Sequence, residues 1–287
     1  MSTSLRELVA EELSQPVDPR VSAMAATIAG QYGKAARAVL FYGSCLREKQ
    51  LDGLMLDFYL IVSSYREAYG KRWLAAANRL IPPNVFLFQD GNLAAKYAVL
   101  SEHDFHRLNG PETRNVSVWA RFAQPSRLVW AADAESRAKA IASVSRAAPT
   151  LLAAAGRIEG ESSIDWWRRA FALTYSAELR AERKGRAGSV VDADLARYRR
   201  FSGPAIAAIH GSGQPASWSR RRLEGKALSV LRLAKASATF AGGADYIAWK
   251  INRHAGTDIV LKPWQRRWPL LAAISLLPRL LRSGAIR

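Results

Sequence analysis

The stretch FYGSCLREKQLDGLMLDFYLIVSS, residues 41–64, carries the reading of the fold. Its second half, LMLDFYLIV at 54–62, has the apolar, β-rich texture of a buried strand, yet Asp57 stands in its middle. An ionised carboxylate does not enter a protein interior alone, because desolvation is costly unless a partner compensates. Side chains alternate along a strand. Leu54, Leu56, Phe58, Leu60 and Val62 therefore share one face, and Met55, Asp57, Tyr59 and Ile61 the other. The first face is wholly apolar and is expected to be the core side. The second should border a cleft able to hold a cation.

Working outward, VLFYG (39–43) reads as a short strand that ends at Gly43-Ser44, with an amphipathic helix before it at 20–38. A helix is expected over 64–81, stopped by Pro82-Pro83, followed by strands at 84–89 and 94–101. Residues 119–132 read as a turn leading into a further strand. Strands interleaved with helices define an α/β or α+β domain. The texture then changes to Ala- and Arg-rich helix, clearest at ESSIDWWRRAFALTYSAELRAERK (161–184), with loop signals around 183–194 and 210–217 and a basic helix at 220–240. The division expected is 1–155, an α/β domain, 156–245, a mostly helical domain, and 246–287, a basic C-terminal segment.

Composition narrows the setting. The single Cys45 excludes an intramolecular disulfide, and no Cys/His spacing suggests zinc. The charged start, MSTSLRELVAEELSQP, does not resemble a secretory signal, so a reducing, cytoplasmic location is expected. Forty-two Lys and Arg against 24 Asp and Glu give a net charge of +18, a field that attracts anions without choosing among nucleotides, nucleic acid and phospholipid headgroups. The end of the chain favours the last of these. Its apolar run from Pro269 to Pro278, even extended to Leu281, is shorter than the roughly 20 residues that span a bilayer. It is flanked by Trp264, Arg266, Arg267 and Trp268 on one side and Arg279 and Arg282 on the other. That is the pattern of an amphipathic helix lying in a membrane interface, or of one docked on the protein itself.

A Gly-Ser after one strand, followed thirteen residues on by an aspartate in the next, is the layout of the DNA polymerase β-like nucleotidyltransferases. In that layout the glycine lets the backbone approach a triphosphate, and carboxylates hold magnesium. The superfamily places a second carboxylate two residues further along the strand; here that residue is Tyr59. Read in order, YGSCL (42–46), LMLDFYLIV, AAKYAVLS (94–101), WARFAQPSRLV (119–129) and LTYSAELRAERKGRAG (173–188) resemble the mitochondrial-type phosphatidate cytidylyltransferases over roughly residues 38–200.

The resemblance implies a nucleotidyltransferase-fold mixed sheet with helices and a winged-helix-like middle domain, which the periodicity does not itself show. It implies CTP and phosphatidic acid as substrates, Mg²⁺ as cofactor, and a place on the inner face of the cell membrane. Nucleic acid is not expected as a partner, and oligomeric state is left open. Carried over by position, Gly43 and Ser44 would bind the triphosphate, with Lys96, Arg121 and Arg180 near phosphates. Asp57 and Glu178 would be the catalytic, metal-binding carboxylates. Three departures matter: Cys45 and Gln124 stand where the family has glycine and lysine, and Glu178 where it has aspartate. A nucleotidyltransferase acting on RNA or another acceptor, and a non-catalytic binding protein of the same fold, are the rival expectations.

Overall fold

The computed structural model describes residues 3–47, 51–178, 190–209, 217–239 and 260–267. Five strands form one sheet: β1 (Ala36–Tyr42), β2 (Met55–Val62), β3 (Asn84–Asp90), β4 (Leu93–Ser101) and β5 (Ser126–Ala131), in the order β3-β4-β2-β1-β5. β1 is antiparallel to both β2 and β5, β3 is antiparallel to β4, and β2 runs parallel to β4. The sheet is therefore mixed. Helices α1 (Leu5–Leu13) and α2 (Pro19–Gly30) precede it; α3 (Tyr65–Ala68) and α4 (Arg72–Leu80) lie between β2 and β3. The chain continues through α5 (Glu102–Asn109), α6 (Trp119–Phe122), α7 (Ala134–Val144), α8 (Ala147–Ala155) and α9 (Ser163–Ala177). α10 (Leu195–Ala207), α11 (Trp218–Thr239) and α12 (Pro263–Arg267) complete the described elements.

The strands expected at 54–62, 84–89 and 94–101 form with single-residue shifts at their ends. Two helices are shorter than expected. α2 begins at a sound N-terminus, Asp18 capping and Pro19 in the first turn, but ends at Gly30. The chain turns through Gly33, at φ +50°, and gives Ala36–Ala38 to β1. The segment 64–81 breaks into two helices around Tyr69–Lys71, where Tyr69 and Lys71 are extended next to Gly70.

The expectation of a single core face is corrected. Leu56, Phe58, Leu60 and Val62 do pack against Val21, Met24 and Ile28 of α2. Tyr59 and Ile61 on the other face are equally enclosed, each 3% exposed, beneath a second apolar layer. That layer runs without interruption from Leu40, Leu100 and Phe122 to Leu151, Trp167, Phe171 and Tyr198 of α8–α10. A sheet covered on both sides has no solvent face to spend on charge, which sharpens the problem posed by Asp57. Among the described residues no strand follows β5.

α11 crosses the end of α9 at unusually close range. A Cβ added to Gly225 would collide with the carbonyl oxygen of Ala177, the last residue of α9. Glycine inside a helix costs about 1 kcal/mol relative to alanine; here it lets α11 lie against the point where the chain leaves α9 at Glu178.

Candidate functional site

The antiparallel register of β1 and β2 sets Tyr42 opposite Asp57, so the chain turns out of β1 directly over the carboxylate. Gly43 makes that turn with φ +94°, and a Cβ built on it would lie 3.1 Å from Asp57 Oδ2. Any side chain at 43 would be strained in this left-handed region and would press on the carboxylate. Gly43→Ala is therefore expected to lower stability by about 1–3 kcal/mol, measured by urea denaturation.

The parallel register of β2 and β4 sets Lys96 beside Asp57. Lys96 Nζ lies 2.9 Å from Asp57 Oδ1, at an angle that makes it an ion pair rather than a directed hydrogen bond. Their side chains are 33% and 20% exposed. The aspartate in the strand faces a lysine in the neighbouring strand, and both side chains reach solvent in part.

A second ion pair borders the first. Arg121, at the foot of α6, donates to the Ser117 carbonyl and approaches Glu178 Oε1 at 3.4 Å; the Glu178 side chain is 8% exposed. Burial opposes the charge on Arg121, but Glu178, Tyr59, Tyr42 and Asp57 around it hold its pKa above the ordinary value. Tyr42 is pushed well up by burial and then by Asp57 and Tyr59. Tyr42, Tyr59 and Phe122 form an aromatic wall, with centroids 5.3 Å apart between the tyrosines and 5.2 Å between Tyr59 and Phe122. The Arg121 guanidinium is thus paired with Glu178 and stabilised in its charged form by Asp57 as well.

One expectation about Glu178 is corrected. It was expected on the same helix as Arg180, but α9 ends at Ala177 and Glu178 is its extended C-cap, at φ −112° and ψ 151°. Leaving the helix frees the side chain to turn toward Arg121.

Sequence reasoning missed two cations. Arg232 of α11 donates from Nε to the Pro82 carbonyl at 2.8 Å and from Nη1 to Ser117 Oγ at 2.9 Å. Lys235, on the same helical face, donates to the carbonyls of Ile81 and Pro83. The basic character of 220–240 was legible, but which of its charges turn inward depends on the Gly225 contact.

Burial, reinforced by Arg232, pushes the Lys235 ammonium down to about 7. Its unfolded value is about 10.4, so between the two the unfolded chain binds more protons and stability rises with pH. Below the folded value both states are protonated and the slope vanishes. Lys235→Met is expected to flatten the rise between pH ~7 and ~10, as read from urea midpoints across that range.

The remaining expected residues fall in several places. Ser44 is exposed at the start of the turn that follows Gly43, and Cys45 beside it is buried, its thiol 3.4 Å from the Met55 carbonyl. Gln124, where the resembled family has lysine, bonds back to the Ala120 carbonyl at 2.8 Å. In α12, Leu261 just before it and Gln265 within it are buried while Trp264 is 45% exposed. Arg266 and Arg267 belong to that helix. Arg180, Trp268, Arg279 and Arg282 lie outside the described residues.

No group of three or more His, Cys, Asp and Glu side chains gathers into a cation cage among the described residues. Magnesium, however, is commonly held by one or two carboxylates with phosphates and water completing its shell. Asp57, with Oδ2 turned to the close-packed Gly43 turn, fits an ion that enters with a nucleotide. It does not fit an all-protein two-ion cage. No family model matches the chain, and a search of curated proteins finds no match. Among the described residues no helix is long and apolar enough to cross a membrane.

Proposed function

We propose that the protein is a nucleotidyltransferase that transfers the cytidylyl group of CTP to phosphatidic acid at a membrane surface, releasing pyrophosphate and CDP-diacylglycerol. The observation that carries this reading is the placement of the Gly43 turn against the Asp57 carboxylate, with Lys96 paired to that carboxylate and the Arg121–Glu178 pair as its further charges. A glycine at positive φ allows phosphates to approach the backbone amides of the turn, and the neighbouring carboxylate is where a phosphate-borne cation would be shared.

In this reaction an oxygen of the acceptor phosphate attacks the α-phosphorus of CTP, and the bond to the β-phosphate oxygen breaks. The acceptor is already ionised, so little general-base work is required. The difficulty is electrostatic: two anions must meet, and charge grows on the leaving pyrophosphate. Lys96 and Arg121 reduce that repulsion from fixed positions, which is how preorganised charge lowers a barrier. Magnesium bound with the nucleotide, through Asp57 and with Glu178 as the second candidate carboxylate, would supply Lewis-acid neutralisation of the phosphates. Tyr42 and Tyr59 exclude water from one side of the cleft and hold the charged groups in register.

The net charge of +18 and the basic C-terminal segment support a membrane-bound acceptor, as do the exposed apolar side chains Leu223, Val230 and Leu231 of α11 and Trp264 of α12. The test is turnover with labelled CTP, Mg²⁺ and phosphatidic acid vesicles, with labelled lipid and pyrophosphate as separate readouts. Both are expected. Pyrophosphate without lipid would move the acceptor to RNA or another phosphate. Silence in both readouts would favour a non-catalytic nucleotide-binding protein, a second reading that draws on one observation: Lys96 already neutralises Asp57. Removing residues 263–287 is expected to weaken vesicle binding and lipid formation far more than it changes the fold by circular dichroism.

A further inference from the structure

The proposed reaction needs two anion sites, and the Gly43 turn with Asp57 and Lys96 accounts for only one. Further cations stand on the α9–α11 side of the site, where Arg121 pairs with Glu178. Lys96, Arg121, Arg232 and Lys235 converge on it from β4, α6 and α11, against the carboxylates Asp57 and Glu178. Like charges are not brought together inside a protein without a compensating gain.

Arg232 is the most exacting of the four. Two of its three nitrogens are fixed, Nε on the Pro82 carbonyl and Nη1 on Ser117 Oγ. Its Nη2 is buried without a hydrogen-bond partner among the described residues. An unsatisfied charged donor is costly, and a guanidinium pinned on two sides is preorganised to give its third nitrogen to an oxyanion. Its electrostatic neighbours are Tyr59, Arg121 and Glu178. Those of Arg121 are Glu178, Tyr59, Tyr42 and Asp57. Arg121 and Arg232 meet at Ser117, Arg121 on its carbonyl and Arg232 on its hydroxyl, with Glu178 paired to Arg121.

We propose that Arg232, together with Arg121, forms the binding site for the phosphomonoester of the acceptor, separate from the nucleotide-phosphate site at Gly43 and Asp57. This inference rests on the proposed nucleotidyltransferase reading for its catalytic meaning, but its binding component does not. Gly225 contributes to the site, because its close contact with Ala177 lets α11 lie against the end of α9, while Arg232 two turns on reaches Pro82 and Ser117.

The experiment uses the full chain and two variants, Arg232→Gln and Arg232→Lys. Titration calorimetry measures binding of a soluble short-chain phosphatidate and, separately, of CTP with Mg²⁺; vesicle turnover gives the KM for each substrate. The expected result for Arg232→Gln is roughly a 10–100-fold loss of phosphatidate affinity, the scale of one charged hydrogen bond. The same rise is expected in the acceptor KM, with CTP binding and its KM unchanged. Arg232→Lys should recover part of this, since it keeps the charge but not the fork. Loss of CTP binding alone would assign the guanidinium to the nucleotide and overturn the proposal, as would no change in either ligand. Equal loss of both, with a lowered melting temperature and no recovery in Arg232→Lys, would mark Arg232 as structural and also overturn it. If the native chain binds short-chain phosphatidate through Arg232 yet forms no labelled lipid, the transferase reading fails while the phosphate site stands.

Discussion

Asp57→Asn is expected to reduce labelled-lipid formation by at least about a hundredfold, the scale of losing one preorganised charge contact at a reacting phosphate. The substitution keeps the shape of the side chain and therefore its packing by Gly43, where a Cβ would lie 3.1 Å from Asp57 Oδ2. What it removes is the negative charge facing Lys96 across 2.9 Å. Because the Lys96 side chain is 33% exposed, its ammonium can draw on water, and the stability cost should not exceed about 1 kcal/mol. Activity and stability are thus expected to separate. Turnover on phosphatidic acid vesicles, run beside urea denaturation of the same preparation, reads both. Lys96→Met provides the reciprocal case: Asp57 keeps its charge, and turnover falls because a cation facing the phosphates is gone. A native-like rate in Asp57→Asn would end the transferase reading, since Asp57 is the carboxylate that packs against the Gly43 turn.

Much of this site could be read from strand periodicity, and the part that could not depends on long-range packing. Period-two alternation assigned Asp57, Tyr59 and Ile61 to one face, as observed, because that rule needs only the strand itself. It could not foresee that this face is also buried, which follows from the helices of α5–α10 folding back over it. Nor could it pair Asp57 with Lys96, because the parallel register of β2 and β4 is set by what lies between them. Glu178 was picked out by its place in a motif, while its geometry was misjudged: the apolar period through 163–177 gives no hint that the helix stops one residue before it. Arg232 and Lys235 were two charges among many in a basic helix. Their inward direction is decided by Gly225, whose role lies in a contact with the carbonyl of Ala177.

The largest stability loss is expected from Glu12→Ala, far from the cleft. Glu12 of α1 and Arg197 of α10 meet across 185 positions of sequence, with Nη2 3.0 Å from Oε1 and Nε paired to the other oxygen. The side chains are 9% and 7% exposed. Arg197 also donates from Nη1 to the Ala123 carbonyl at 3.1 Å and lies 4.3 Å from the ring centroid of Phe201. Burial works against its charge, and Glu12 more than offsets this, holding the guanidinium above its ordinary pKa. Removing the carboxylate leaves the guanidinium buried, with Nη1 still bonded but its main counter-charge gone. Such an uncompensated charge costs about 3–5 kcal/mol, a large share of the roughly 5–15 kcal/mol that holds a typical domain folded. Urea denaturation should show the midpoint falling by the corresponding amount. Replacing both partners, Glu12→Leu with Arg197→Met, should recover most of the loss, because the pair is strongly coupled and an apolar pair needs no counter-charge. Since the Ala123 carbonyl that Arg197 holds lies one residue after α6, loosening this pair should also disturb Arg121. The single variant is therefore expected to lose turnover at temperatures where it is still folded, and the double variant to regain less activity than stability.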